Sequence, residues 1–200
     1  MCVIINQRKK GGKRMSKNTK HVLGESLKKL LQKKPLNKIT VTEIVSDSGL
    51  NRMTFYYHFK DIYDLLEWVC LEDAKTAVEG LDSTYENWKE GLYKIFLLVQ
   101  KNRPSVLNAY SALSRDYLER YIYRLTDSLF LTIINDLDES KNLEQKDKEF
   151  IASFYKYAFL GTVLNWIGNN MQEDPKVIID RLSVLVENGL SGAMESINNR

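Results

Sequence analysis

The chain has 200 residues and a mass of 23.3 kDa, room for one sizeable core or for a module of about fifty residues joined to a larger one, and too little for a large multidomain enzyme. Its 44% hydrophobic and 28% charged residues, with only 3 Pro and 10 Gly, exclude a disordered or collagen-like chain and lean towards helices. The net charge of +3 hides two opposite parts: residues 1–60 hold 14 Lys or Arg against 3 Asp or Glu, a balance of +11, and residues 61–200 hold 15 against 23, a balance of −8.

A basic front joined to an acidic body is the distribution of a nucleic-acid reader tethered to an effector domain, because phosphate neutralisation gathers Lys and Arg on one side. Five of the basic residues (Arg8, Lys9, Lys10, Lys13, Arg14) precede Met15, yet residues 15–60 still hold 9 against 3. Cys2 and Cys70 are far apart with no pairing pattern, which supports neither a disulfide framework nor a thiolate metal site and fits a reduced, cytoplasmic protein. The longest apolar runs, such as Ile95 to Val99, fall far short of the roughly 18 residues of a membrane span, so no membrane partner is expected. His21 and His58 are the only histidines, and any His-centred triad or multi-histidine metal site must draw on them. No nucleophile with a base, paired carboxylates, metal set or Gly-rich phosphate loop stands at suggestive spacing; Asp136, Asp138 and Glu139 read as a solvated loop. The expectation is a protein without catalytic activity, cofactor or metal.

Residues 1–15 lack periodicity, contain a Gly pair and read as a disordered basic arm or an upstream read-through, with Met15 as the native start. From Asn18 to Lys33, Leu23, Leu27, Leu30 and Leu31 line one face of a helix that Pro35 stops. Thr40 and Glu43 form a capping box opening a short helix with Val41, Ile44 and Val45 inward, and Gly49 ends it. Asn51 caps a second short helix through about His58. Asp61 and Asp64 start a longer one to about Gly80, with Leu65, Leu66, Val69 and Cys70 as its buried stripe. Ser83 and Glu86 make another capping box for a helix to about Lys101, where Asn102 and Pro104 intervene before a short helix to Tyr110. Long helices follow over about 114–137, 147–170 and 175–197, the last capped by Asp174 with Pro175 at its first position. No segment alternates apolar and polar residues long enough to require a strand. The fold class is all-α.

Two short helices joined by a Gly turn are the arrangement that sets a recognition helix in the DNA major groove. Between Thr40 and Phe59, Ile44, Val45, Leu50, Phe55 and Phe59 would form the small core, leaving Arg52, Met53, Thr54, Tyr57 and His58 outward. Spacing by itself leaves other functions open, because such helix pairs are common in helical proteins.

The run Ile39 to Leu66, ITVTEIVSDSGLNRMTFYYHFKDIYDLL, resembles the DNA-binding domain of TetR-family transcriptional regulators, in its Ile-Thr-Val start, its Gly turn and its Phe-Tyr-Tyr-His-Phe block. The resemblance covers about residues 18–65. It implies a three-helix helix-turn-helix domain over 16–62 and a helical effector and dimerisation domain over 63–200. Carried over by position, it implies that Asn51, Arg52, Met53 and Thr54 face bases and nearby phosphates. Tyr57 and His58 then reach phosphates, Tyr56 packs beneath them and touches a phosphate through its hydroxyl, and Thr40 and Thr42 hold a phosphate at a helix N-terminus, where unpaired amides and the dipole favour an anion. Many family members carry a Lys where this chain has Ile62; Lys60 is the substitute charge.

The implied partners are double-stranded DNA, a second copy of the chain through the last two long helices, and an effector. Gly161, Gly168, Gly189, Ser191, Gly192 and Ala193 would permit close approach between copies. Trp88, Tyr121, Arg124, Asn165 and Trp166 are candidates for a small-molecule effector pocket, with Asn165 or Arg124 as polar anchors, against the alternative that the aromatics, Tyr85, Tyr93, Phe96, Tyr110, Tyr117, Phe130 and Phe154 among them, are plain core. The Asp-Ile-Tyr-Asp-Leu variant is similar to a subgroup that includes activators of dihydroxyacetone-kinase operons, which implies a kinase-like sensor protein as a possible effector. The competing reading is a protein–protein adaptor working with such a partner.

Overall fold

The computed structural model describes the backbone of residues 5–81, 87–138 and 143–198, with side chains in these stretches except at 5–17, 123–129, 191, 195 and 198. Among the described residues every long regular element is an α-helix, in agreement with the all-α expectation. The chain divides into two compact units, Met1–Glu72 and Asp73–Arg200.

The first unit holds α1 (Ile5–Leu31), a 3-10 turn (Leu36–Lys38), α2 (Val41–Ser48), α3 (Arg52–His58) and most of α4 (Ile62–Ala77). α1 begins at Ile5, not near Asn18, so the stretch expected as a disordered arm has a helical backbone from Ile5 onward. Lys, Arg and Gln are good helix formers, and a helix already nucleated gains one hydrogen bond for each residue it adds, which offsets Gly11 and Gly12. Leu23, Leu27 and Leu31 are buried, as are Leu36, Ile39, Ile44, Val45, Phe55, Phe59, Leu65, Leu66 and Val69. Leu30, Leu50 and Cys70, expected inside, are only half-buried. Two contacts fix α1 against its neighbours. Ser26 donates its hydroxyl to the Ile44 carbonyl of α2 at 2.9 Å. Gly24 lies so close to α4 that a Cβ there would stand 2.9 Å from Val69 Cγ2 and 3.2 Å from the Trp68 ring.

The second unit is built of α5 (Trp88–Lys101), α6 (Arg103–Tyr110), α7 (Arg115–Leu137), α8 (Gln145–Gly168) and α9 (Pro175–Asn198). The expected capping box of Ser83 and Glu86 lies outside the described residues. Ser114 caps α7, accepting from the Tyr117 amide at 3.3 Å, and Asp174 accepts from the Lys176 amide at 2.8 Å beside Pro175. The core centres on rings: Phe96 lies 4.7 Å from Trp166 and 6.4 Å from Phe159, which in turn is 6.1 Å from Phe130, the spacings of offset and edge-to-face pairs. Asp138, at the end of α7, is 3% exposed and meets Lys148 Nζ of α8 at 2.8 Å. A carboxylate so buried requires such a partner, since removing one member would strand the other charge. No helix among the described residues is long and apolar enough to cross a membrane.

Candidate nucleic-acid interface

α3 has seven residues, and its sequence sorts them by face. Phe55 is fully buried and the C-cap Phe59 is 3% exposed, which anchors the helix inward. Met53 and Tyr57 are 83% and 82% exposed, Arg52 and Asn51 are also exposed, and Thr54 and His58 are half-buried. Tyr56 departs from the expectation that it packs beneath its neighbours: it is 51% exposed, in a T-shaped pair with Phe55 at 5.4 Å and with Arg52 over its ring at 6.0 Å. Arg52 is thereby oriented by a ring while its planar fork stays on the surface.

Asn51 accepts hydrogen bonds through Oδ1 from the Thr54 amide at 2.8 Å and the Thr54 hydroxyl at 3.0 Å. Its oxygen therefore fixes the start of α3, and only its amide Nδ2 remains for another partner. The preceding turn is set by Gly49 at φ +68°, a left-handed conformation that only Gly adopts cheaply.

At the start of α2 the capping box forms as expected. Glu43 donates its amide to Thr40 Oγ1 at 3.3 Å, and Thr40 returns its own amide and hydroxyl to Glu43 Oε2, both at 3.0 Å. Lys34 also bonds Glu43, and this hydrogen bond, followed by those from Thr40, holds the Glu43 carboxyl below its usual range. Thr40 thus spends its donors on a carboxylate, and a phosphate at this terminus would compete with Glu43. Thr42 is exposed on the same turn.

At the far end of α3, His58 has its proton affinity lowered, first by burial and then by the charge of Lys20 on α1. Its ring lies edge-on to Tyr57 at 4.9 Å. In sequence Lys20 is one positive charge among many, because nothing in one dimension joins residue 20 to residue 58. Lys60 is exposed, and its amide donates to Asp64 Oδ2 at 2.9 Å while Asp61 Oδ1 accepts from the Asp64 amide, so two carboxylates cap the start of α4 on either side of Ile62.

Among the described residues the effector candidates differ in their surroundings. Trp88 is buried, Tyr121 is half-buried, and Trp166 is buried against Phe96 and donates Nε1 to the Glu173 carbonyl at 2.9 Å, tying the turn after α8. Asn165, expected as a polar anchor, is exposed and accepts from Asn169 at 3.2 Å, because it falls on the outer face of α8. Phe154 is 63% exposed on the same helix. The Arg124 side chain and Tyr85 lie outside the described residues. Of the small residues, Gly168 and Gly189 lie against side chains of the same unit, where a Cβ would meet the Tyr110 hydroxyl at 3.2 Å and the Tyr155 hydroxyl at 2.7 Å, whereas Gly161 and Gly192 face open space. The Ser191 side chain lies outside the described residues.

Comparison with known proteins matches residues 25–69 to the bacterial regulatory proteins of the tetR family and residues 86–188 to a transcriptional regulator C-terminal region. A curated relative is the HTH-type dhaKLM operon transcriptional activator DhaS of Lactococcus lactis subsp. lactis (strain IL1403), 25% identical over 85 residues, 42% of this chain; the match spans 45% of the relative's length. The fold is similar to a solved dihydroxyacetone kinase operon activator DhaS, with a TM-score of 0.66 and 17% identity over 86% of this chain and 96% of that one. It is also similar to a TetR transcriptional regulator from Streptococcus agalactiae 2603V, with a TM-score of 0.58 and 20% identity over 88% and 97%. Both terminal parts therefore carry the signatures of one architecture, and the chain belongs to the tetR family of bacterial transcription regulators.

Proposed function

We propose that the chain is a homodimeric, cytoplasmic DNA-binding regulator that reads an operator with α3 and answers to an effector bound by its second unit. The observation that carries this reading is the division of α3: Phe55 and Phe59 anchor it, while Arg52, Met53 and Tyr57 stand in solvent beside Asn51. Arg52 reads a guanine through O6 and N7, a contact worth roughly 1–3 kcal/mol of discrimination. Tyr57, His58 and Lys60 position the helix on phosphates, as do Thr42 and, in exchange with Glu43, Thr40.

Dimerisation is supported by an uncovered apolar face. Phe150, Phe154 and Tyr157 follow at helical spacing on α8, Val184 and Leu185 are exposed on α9, and Gly161 and Gly192 leave room for a partner backbone. A twofold pair would set two recognition helices about one DNA turn apart. A protein effector is favoured over a small ligand because Phe96, Phe159 and Trp166 pack on one another instead of facing a common space. The similarity to an operon activator adds to this and points to activation.

The test is selection of genomic fragments with the purified protein, followed by footprinting at two salt concentrations. A short twofold-symmetric footprint that weakens with salt supports the reading, and Arg52→Ala relaxes preference at one base pair of each half-site. No enrichment, even after cell extract is added, would replace the regulator with the adaptor.

A further inference from the structure

The lysines of the first unit are of two kinds. Lys28 lies 3.0 Å from Glu25, Lys29 lies 3.5 Å from Asp47, and Lys34 is bonded to Glu43, so each meets a carboxylate of the protein itself. Lys20 does not. Its Nζ stands 5.3 Å from the centroid of the Phe59 ring and 5.9 Å from that of Trp68, and among the described residues no carboxylate is within ion-pair reach of it. The two rings, themselves 5.8 Å apart, hold the ammonium by their quadrupoles, and this fixes its place without cancelling its charge. Phe59 is the C-cap of α3, and the Lys20 charge is felt by His58, the last residue of that helix. The half-buried His58 ring lies 6.4 Å from the same Phe59 ring that Lys20 covers, so a fixed cation and an imidazole flank one ring at the end of α3, where an anion would be stabilised.

We propose that Lys20 is a DNA-backbone contact, binding with His58 a phosphate at the C-terminal end of α3 and supplying the charge that Ile62 does not carry. The proposal rests on the reading of α3 as the DNA-facing helix. The bound group is a backbone phosphate and not a base, so Lys20 adds affinity and salt dependence without sequence preference.

The experiment measures affinity of the full chain for its selected operator fragment and for unrelated duplex across salt concentrations. Lys20→Gln and Lys20→Met, the second keeping an apolar stem over the rings, should each lower the slope of log affinity against log salt by about 0.9. Affinity for both DNAs should fall by the same factor, and the wild-type loss between low and fourfold higher salt should shrink about 3-fold. Lys20→Arg should restore the slope, and Lys28→Gln, at a lysine already paired with Glu25, should leave it at the wild-type value. A wild-type slope in folded Lys20→Gln and Lys20→Met, or lost affinity with no change in slope, overturns the proposal and makes Lys20 a packing residue. Wild-type protein that binds neither DNA overturns the reading of α3 itself, a failure visible before any variant is made.

Discussion

Asn51→Ala removes the acceptor of two hydrogen bonds from Thr54, at 2.8 and 3.0 Å, at the start of a helix of seven residues. A helix so short does not hold in isolation, so its order depends on this cap and on the burial of Phe55 and Phe59. Loss of an Asn N-cap costs about 1 kcal/mol, which multiplies the population with the first turn of α3 open about fivefold. Hydrogen exchange at the Thr54 amide reads that population directly and should quicken by the same factor. Asn51→Asp is the informative companion, because Asp caps as well as Asn and should restore slow exchange. It also sets a carboxylate on the face proposed to meet phosphates, so DNA affinity should stay depressed while the helix is repaired. Unchanged Thr54 exchange in Asn51→Ala would refute the cap. Wild-type DNA affinity in Asn51→Asp would refute the placement of this helix end against the backbone.

Gly24→Ala should destabilise the first unit, since a Cβ 2.9 Å from Val69 Cγ2 brings an overpacking cost of roughly 1–3 kcal/mol against about 1 kcal/mol gained in helix propensity. Gly161→Ala, in open space on an exposed face, should gain that propensity in the unassociated chain; denaturant midpoints check both, and equal stability of the two variants counts against the close approach of α1 and α4. His58 is expected to make stability depend on pH. Its folded-state pKa lies below the ordinary 6.5, so the unfolded chain binds more protons between the two values; its contribution is complete above 6.5 and is lost as pH falls through the folded value. Urea midpoints from about pH 7.5 down to about 5.5 should show that loss, and His58→Gln should remove it; identical pH profiles would show that His58 is not the group responsible.

Local rules made the first unit legible. The Thr40–Glu43 box, the Gly49 turn, the Asn51 cap and the Phe55 and Phe59 anchors are each decided by residues within a few positions of one another, and each formed as read. Contacts that depend on distant chain were not legible. Tyr56 reads as buried in an aromatic block, yet it is 51% exposed, because burial depends on whether another element covers it and the groups at its ring, Arg52 and Phe55, lie on its own helix. The meeting of Lys20 with His58, Phe59 and Trp68 has no sequence signal because it joins three helices. The start of α1 was missed for another reason: a stretch with no apolar periodicity can continue a helix nucleated further along.

In the second unit the difficulty was that apolar spacing does not say what covers a face. α8 carries Ile151, Phe159, Leu160, Leu164 and Ile167 inward, yet Phe150, Phe154 and Tyr157 are 71%, 63% and 59% exposed. A helix apolar on two faces needs two partners, and the unit itself supplies one. With side chains of about 150–200 Å² each, those three rings with Val184 and Leu185, at 57% and 64% exposed, offer about 550 Å² per copy. Two copies would bury about 1,100 Å², just above the roughly 1,000 Å² that a specific interface has to clear. Phe154, read in one dimension as core or pocket lining, is thus on the face that the proposed pairing of copies would cover. An effector protein that changed the pairing of α8 and α9 would act on both DNA readers at once, provided it favours one pairing over the other.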